Sequence, residues 1–306
     1  MMRLSYREGI PERFRDAVVA LGNFDGFHLG HQAVVGRAVQ RAAHEGRRAI
    51  VATFDPHPVR FFQPAAPPFR LTSLDQREAL FARAGADAML VFGFDASLST
   101  MSAEAFVRLL REEIGASAVV TGDDFTFGAR RGGNAVFLRD EGARIGLAAE
   151  TVGPVALGDE PVSSSRIRRA LAAGDPATAT RLLTRPFAIR AEVRHGDKRG
   201  RELGYPTANM LLGDYQRPAY GIYAVRVRMA DGSERSGVAS LGVRPTFEPP
   251  VELLETYIFD WAGDLYGQEI EVSLHHFLRP EQRFDALEPL IDQMRADEAQ
   301  ARRLLP

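Results

Sequence analysis

The 306-residue chain contains no cysteine. Disulfides, thiolate metal centres and cysteine nucleophiles are therefore excluded, and a reducing compartment suits the composition. No apolar run approaches the roughly 18 to 20 residues that span a bilayer. Residues 1–8 are polar and charged and carry no apolar core of a signal peptide. No membrane partner is expected, and the protein reads as cytoplasmic. Net charge is nearly absent, at -2. No global basic field calls for nucleic acid, so the arginine clusters need local explanations. Internal repeats and low-complexity linkers are also missing. What remains is ordinary for a globular protein, 45% hydrophobic and 25% charged, and long enough for about two domains.

Short apolar runs alternate with amphipathic ones through the first half. Residues 17–21, 49–54, 88–92, 117–121 and 147–151 read as strands buried on both faces. Residues 31–45, 74–84, 103–114, 134–145, 164–173 and 176–183 read as helices. The βαβα order predicts a parallel, doubly wound, Rossmann-like domain over residues 1–185. Ligands of such sheets bind beyond the carboxyl ends of the strands. The Pro-rich patch 64–68 reads as a mobile loop of this domain. From Pro186 the texture changes to alternating runs, at 187–194, 222–229, 235–241, 254–259 and 270–277. Turn signals such as Asp231-Gly232 separate them. That pattern predicts a small antiparallel barrel or sandwich over 186–306, capped by an amphipathic C-terminal helix at 284–302.

Gly22-Asn23-Phe24-Asp25-Gly26-Phe27-His28-Leu29-Gly30-His31 joins the first apolar strand to the first long helix. Such a junction gathers free N–H groups and the positive end of a helix dipole, which suits a phosphate. His28 and His31, three apart, fall on one side of the first helical turn. There they can hold an α-phosphate and the charge that develops during attack at phosphorus. Zinc is the rival reading, without an evident third ligand. Ser163-Ser164-Ser165-Arg166-Ile167-Arg168 is a helix start with serine caps and a basic face. It is either a capped surface helix or a phosphate receiver in which Arg168 neutralises a departing pyrophosphate.

Two further strand ends carry Thr53-Phe54-Asp55-Pro56-His57-Pro58 and Thr121-Gly122-Asp123-Asp124-Phe125-Thr126-Phe127-Gly128. Phe125 and Phe127 offer flat apolar faces, although a Phe beside a strand end is as often core. Residues 195–209 are Gly-rich and basic without Walker spacing, so they form no P-loop. They are either a hairpin loop or a wrap for phosphates. Glu255 interrupts an apolar strand, at a solvent-facing position or as a functional carboxylate.

The stretch 22–31 is similar to the HxGH signature of the nucleotidyltransferase superfamily. Pro206-Thr207-Ala208-Asn209 is similar to the PTAN motif of riboflavin kinases. Glu255 with Asp264-Leu265-Tyr266-Gly267 looks like the second kinase signature. Over nearly its full length the chain resembles the bacterial bifunctional riboflavin kinase/FAD synthetase family. The resemblance implies an FMN adenylyltransferase domain at 1–185 and a riboflavin kinase domain at 186–306. Its substrates and products would be riboflavin, FMN, FAD and ATP, with Mg²⁺ accompanying ATP. His28, His31, Arg168 and Glu255 would be catalytic. ATP would meet Gly22, Asn23, Phe24, Asp25, Gly30, Ser163 and Ser164 in the first site, and Gly196, Gly200, Arg201, Thr207 and Asn209 in the second. The flavin would meet Asp55, Pro56, Pro58, Asp124, Phe125 and Phe127, and Arg279 in the kinase. Thr207 and Asn209 would also hold the metal. Ser165 stands where the family commonly has Thr; both hydroxyls donate. Oligomeric state is open at this level.

Overall fold

Runs that are apolar on both faces build the first sheet. In the computed structural model, which describes residues 1–195, 205–244 and 251–305, strands β1 (Met2–Ser5), β2 (Val18–Leu21), β3 (Ala49–Asp55), β4 (Ala88–Gly93), β5 (Ala118–Gly122) and β6 (Ala148–Val152) are all parallel. Their order is β1-β4-β3-β2-β5-β6. Successive residues point to opposite faces. Val19, Leu21, Ile50, Leu90 and Val119 join one core, and Val18, Ala20, Val51, Met89 and Val120 join the other. Helices α1 (Leu29–Glu45), α2 (Pro58–Phe62), α3 (Leu74–Arg83), α4 (Ala96–Thr100), α5 (Ala103–Arg108) and α6 (Ala135–Arg144) connect them. The chain leaves β2 toward β3 on one side and later returns to β5 on the other. The strand order therefore reverses at the carboxyl ends of β2 and β5, where doubly wound sheets place ligands.

The second unit begins with α7 (Ser164–Ala172) and α8 (Pro176–Leu183). Strands β7 (Phe187–Arg194), β8 (Thr207–Leu211), β9 (Gly221–Arg228), β10 (Glu234–Arg244), β11 (Val251–Ile258) and β12 (Glu269–Pro280) close into an antiparallel barrel, ordered β7-β8-β11-β10-β9-β12. The pattern thus resolves as a barrel, because β12 is long enough to pair with both β7 and β9. Helix α9 (Leu287–Leu304) docks outside it. Its Ala301, with Leu305, packs on Phe259 and Ala224. Arg302 forks onto the Asp260 carboxylate at 2.7 and 2.9 Å.

Packing groups Met1–Pro67 with Ser73–Ser163, and Pro68–Thr72 with Ser164–Pro306. The packing division falls before α7, since α8 packs on β7 and β12. The loop expected at 64–68 is likewise divided. Its continuation, Arg70, exchanges backbone bonds with Asp214 (2.9 Å) and Gln216 (2.7 Å) in the second unit.

Candidate active sites

In the first unit, Gly22 N–H bonds to the Ala52 carbonyl at 3.2 Å and carries the β2–β3 ladder one residue further. The chain then turns sharply, with Phe24 at φ 48°, Gly26 at 86° and Phe27 at 46°. A non-glycine residue at positive φ costs on the order of 1 kcal/mol or more, so the surroundings must impose it. Here the two rings are the anchors. Both are buried, and Phe24 and Phe27 meet the Phe81 ring edge-on at 5.8 and 5.2 Å.

His28 is the N-cap of α1, and its Nδ1 accepts from the His31 N–H at 3.4 Å. A neutral ring that accepts at Nδ1 carries its proton on Nε2. The two imidazoles stack with centroids 3.6 Å apart. A Cβ at position 30 would come within 3.3 Å of the His28 ring, so Gly30 makes room for it. Asp25 is buried in the same turn. Five expected residues, Gly22, Asn23, Phe24, Asp25 and Gly30, therefore share one turn with the two histidines.

Around the flavin-side loops, Asp55 ends β3, followed by exposed Pro56 across a cis peptide. His57 caps α2 by accepting from the Val59 N–H at 3.2 Å, and Pro58 occupies the first helical position. Asp124 is exposed. Phe125 is half-buried and stacks on Phe127 at 5.7 Å. Phe127 is core: it is buried against Phe106 and Phe137, and only a glycine at 133 leaves space for its ring. The open choice between ligand surface and core thus resolves to core for Phe127, while Phe125 keeps an accessible face.

In the second unit, Ser164 opens α7, and Arg168 Nε donates to the Phe69 carbonyl at 2.8 Å, with its guanidinium over the Phe69 ring. The barrel register assembles the remaining residues. Asn209 on β8 lies directly opposite Glu255 on β11, and Ser240 on β10 flanks Glu255 from the other side. Cross-strand partners share a face of the sheet, as does Thr207 two residues along from Asn209. Glu255 is half-buried and lines a hollow of 380 Å³ together with Tyr205, Thr207, Tyr257 and Arg279. Ile222, Val238, Leu290 and Met294 supply its apolar wall. A second hollow of 280 Å³ contains Pro206, Thr207, Thr256, Trp261 and Tyr266. Thr207 lines both. The Thr256 hydroxyl in the second hollow is buried and has no hydrogen-bond partner among the described residues. Gly196, Gly200 and Arg201 lie outside the described residues.

Residues 10–166 match the FAD synthetase family and residues 183–305 the riboflavin kinase family. A bifunctional riboflavin kinase/FMN adenylyltransferase from Pseudomonas fluorescens is 43% identical over 96% of this chain and 94% of its own length. The one from Escherichia coli strain K12 is 38% identical over 93% and 91%. The chain belongs to the bifunctional riboflavin kinase/FMN adenylyltransferase family. A crystal structure described as a macrolide-efflux protein from Streptococcus pneumoniae shares the architecture, with a TM-score of 0.88, 30% identity and 99% of both chains covered. Among the described residues, no helix is long and apolar enough to cross a membrane.

Two residues of this family member escape the sequence reading. Arg77 is buried, and its Nη1 donates to the Thr53 hydroxyl at 2.8 Å and the Asn23 carbonyl at 3.2 Å. Asp297 is buried on α9, accepts a fork from Arg279 at 2.9 and 2.7 Å, and accepts from Gln293 at 2.9 Å. Each looks like an ordinary charge on an amphipathic helix. Nothing local marks the distant group that each one meets.

Proposed function

We propose that the two family activities divide between residues 1–185 and 186–306, as follows. The second domain phosphorylates riboflavin to FMN with ATP, and the first joins FMN to the adenylyl group of a second ATP, giving FAD and pyrophosphate. The observation that carries the kinase assignment is the register that sets Asn209 opposite Glu255 with Thr207 on the same face. In that step the ribityl hydroxyl oxygen bonds to the γ-phosphorus while the bond to the ADP oxygen breaks. The hydroxyl proton passes to the Glu255 carboxylate. The apolar wall of the larger hollow receives the isoalloxazine ring, with Arg279 beside it. Thr207, common to both hollows, stands between flavin and nucleotide.

The donor set of β8 fits Mg²⁺. Asn209 Nδ2 donates to the Thr207 carbonyl at 3.4 Å, which leaves its Oδ1 and the Thr207 hydroxyl as hard oxygen ligands. Two such ligands suit an ion that keeps several waters and leans on substrate phosphates. When bound, Mg²⁺ neutralises charge on the phosphates.

In the adenylyl step the FMN phosphate oxygen attacks the α-phosphorus, the bond to the β-phosphate oxygen breaks, and pyrophosphate leaves. No proton has to be removed from the attacking phosphate. His28 and His31 donate to the α-phosphate as charge develops, Ser163 and Ser164 receive phosphate oxygens, and Arg168 balances the pyrophosphate. Asp55, Pro56, Pro58, Asp124 and Phe125 form the FMN side. Phe127 supports Phe125 from the core. Both reactions consume ATP, and a cytoplasmic location suits such an enzyme.

Variants separate the sites. Glu255→Gln removes FMN formation from riboflavin by about 10²-fold or more and leaves FAD formation from supplied FMN. His31→Ala does the reverse, by about 10²-fold. Loss of both activities in each folded variant would refute the division.

A further inference from the structure

We infer that Arg77, buried in the first unit, is a positioning residue for ATP: it fixes the Asn23–Phe24 peptide so that the Phe24 N–H faces the nucleotide's phosphates. The inference rests on the assignment of the 22–31 turn to ATP made above. Its starting point is a charge in an unfavourable place. Ser73 and Gln76 form a reciprocal capping box at 3.2 and 3.0 Å, which puts Arg77 near the N-terminus of α3. The helix dipole disfavours a cation there, and burial of a guanidinium is costly without partners. Arg77 is nevertheless only 3% exposed. Its Nη1 and Nη2 reach the carboxyl ends of two adjacent strands. The Asn23 carbonyl accepts from Arg77 Nη1 at 3.2 Å and from the Thr53 hydroxyl at 2.8 Å. Nη1 also reaches the Thr53 oxygen at 2.8 Å, and Nη2 lies 3.8 Å from the Asp55 carboxylate.

The consequence lies in the peptide that follows. The 23–24 bond is trans, so its N–H points opposite to its carbonyl. With the carbonyl held toward Arg77 and Thr53, the Phe24 N–H is directed away from them, and it has no hydrogen-bond partner among the described residues. The Asn23 Oδ1 is likewise buried and without a partner among them. A cation on the carbonyl polarises the whole peptide and strengthens its N–H as a donor. The positive φ of 48° at Phe24, next to that peptide, shows that the turn is held in one unusual conformation. Arg77 thus acts on the nucleotide through Asn23 and Phe24 and touches no reacting atom.

The test is the ATP dependence of FAD formation from FMN in the full-length enzyme carrying Arg77→Gln, Arg77→Lys or Thr53→Val. Arg77→Gln lowers kcat/KM for ATP about tenfold or more, as loss of a charged hydrogen bond predicts, and leaves the riboflavin kinase rate within about twofold. Arg77→Lys, which keeps the charge and can reach one acceptor, recovers most of that loss. Thr53→Val lowers the same constant about threefold. The inference is overturned if Arg77→Gln leaves kcat/KM for ATP unchanged, or if Lys restores nothing. Should Arg77→Gln fail to fold by thermal melting, Thr53→Val decides: an unchanged ATP constant overturns the proposal, a lowered one supports it. Failure of the underlying reading has a different signature, namely Asn23→Ala and His31→Ala both leaving ATP kinetics untouched.

Discussion

Asp297→Ala tests how the kinase hollow is held together. The Arg279 and Asp297 side chains are 19% and 6% exposed, and two nitrogens of the guanidinium grip the carboxylate. Removing Asp297 leaves Arg279 with its Nη1 bond to the Pro280 carbonyl at 3.1 Å, and strips Gln293 of an acceptor. Breaking a buried pair from one side costs about 3–5 kcal/mol. Arg279 retains some water contact, so about 3 kcal/mol is the appropriate end of that range. For a unit of this size the loss lowers its unfolding temperature by about 10 °C. The Arg302–Asp260 fork and the Ala301 contacts remain, so α9 stays docked while the wall beside Glu255 loosens. KM for riboflavin should therefore rise, with FAD formation from FMN unchanged. Arg279→Met with Asp297→Leu separates the two roles: it should restore stability, as hydrophobic replacement of buried pairs does, without restoring KM for riboflavin. A melting transition within about 2 °C of the parent would refute the reasoning, since that is well under 1 kcal/mol.

Two other perturbations have signs fixed by the fold. Thr184 ends α8 at φ 63° and is exposed, a left-handed position that disfavours a β-branched residue. Thr184→Gly should stabilise the second unit by about 0.5–1 kcal/mol in chemical denaturation, and a net loss would contradict the account. On the barrel wall, burial pushes the His275 pKa below its ordinary value of 6.5; Arg226 and His276 push the same way, and Glu234 partly opposes them. The folded ring therefore prefers to be neutral. Its contribution to stability is complete above about pH 6.5 and disappears as pH falls through the lower folded value. Denaturation between pH 8 and 5 should show a steeper loss in the parent than in His275→Gln, and parallel profiles would contradict this.

Legibility in the sequence follows the range of the interactions. Strands β2 to β5 are apolar on both faces, so composition alone marks them. Strand β1 buries only Leu4 and is four residues long, too short and too polar to announce itself. Strand β8 begins inside the Gly-rich stretch read as a hairpin loop or a wrap for phosphates; pairing with β11, more than forty residues away, makes it a strand. The two histidines are legible because a strand-to-helix turn is local. Glu255 is ambiguous until the barrel closes, because only the register places it between Asn209 and Ser240. Phe127 shows the same limit in the other direction, since its core position depends on Gly133 across a two-residue ladder. Arg77 and Asp297 are the extreme cases. Their partners lie on other elements, 54 residues away for Asn23 and 18 for Arg279.

One measurement bears most directly on the claim of two sites in one chain. The purified protein is incubated with riboflavin, ATP and Mg²⁺, and flavins are separated over time. FMN should form first and FAD follow, with Glu255→Gln abolishing both from riboflavin but making FAD when FMN is supplied. Neither product from the parent, or no FAD from Glu255→Gln given FMN, would contradict the account.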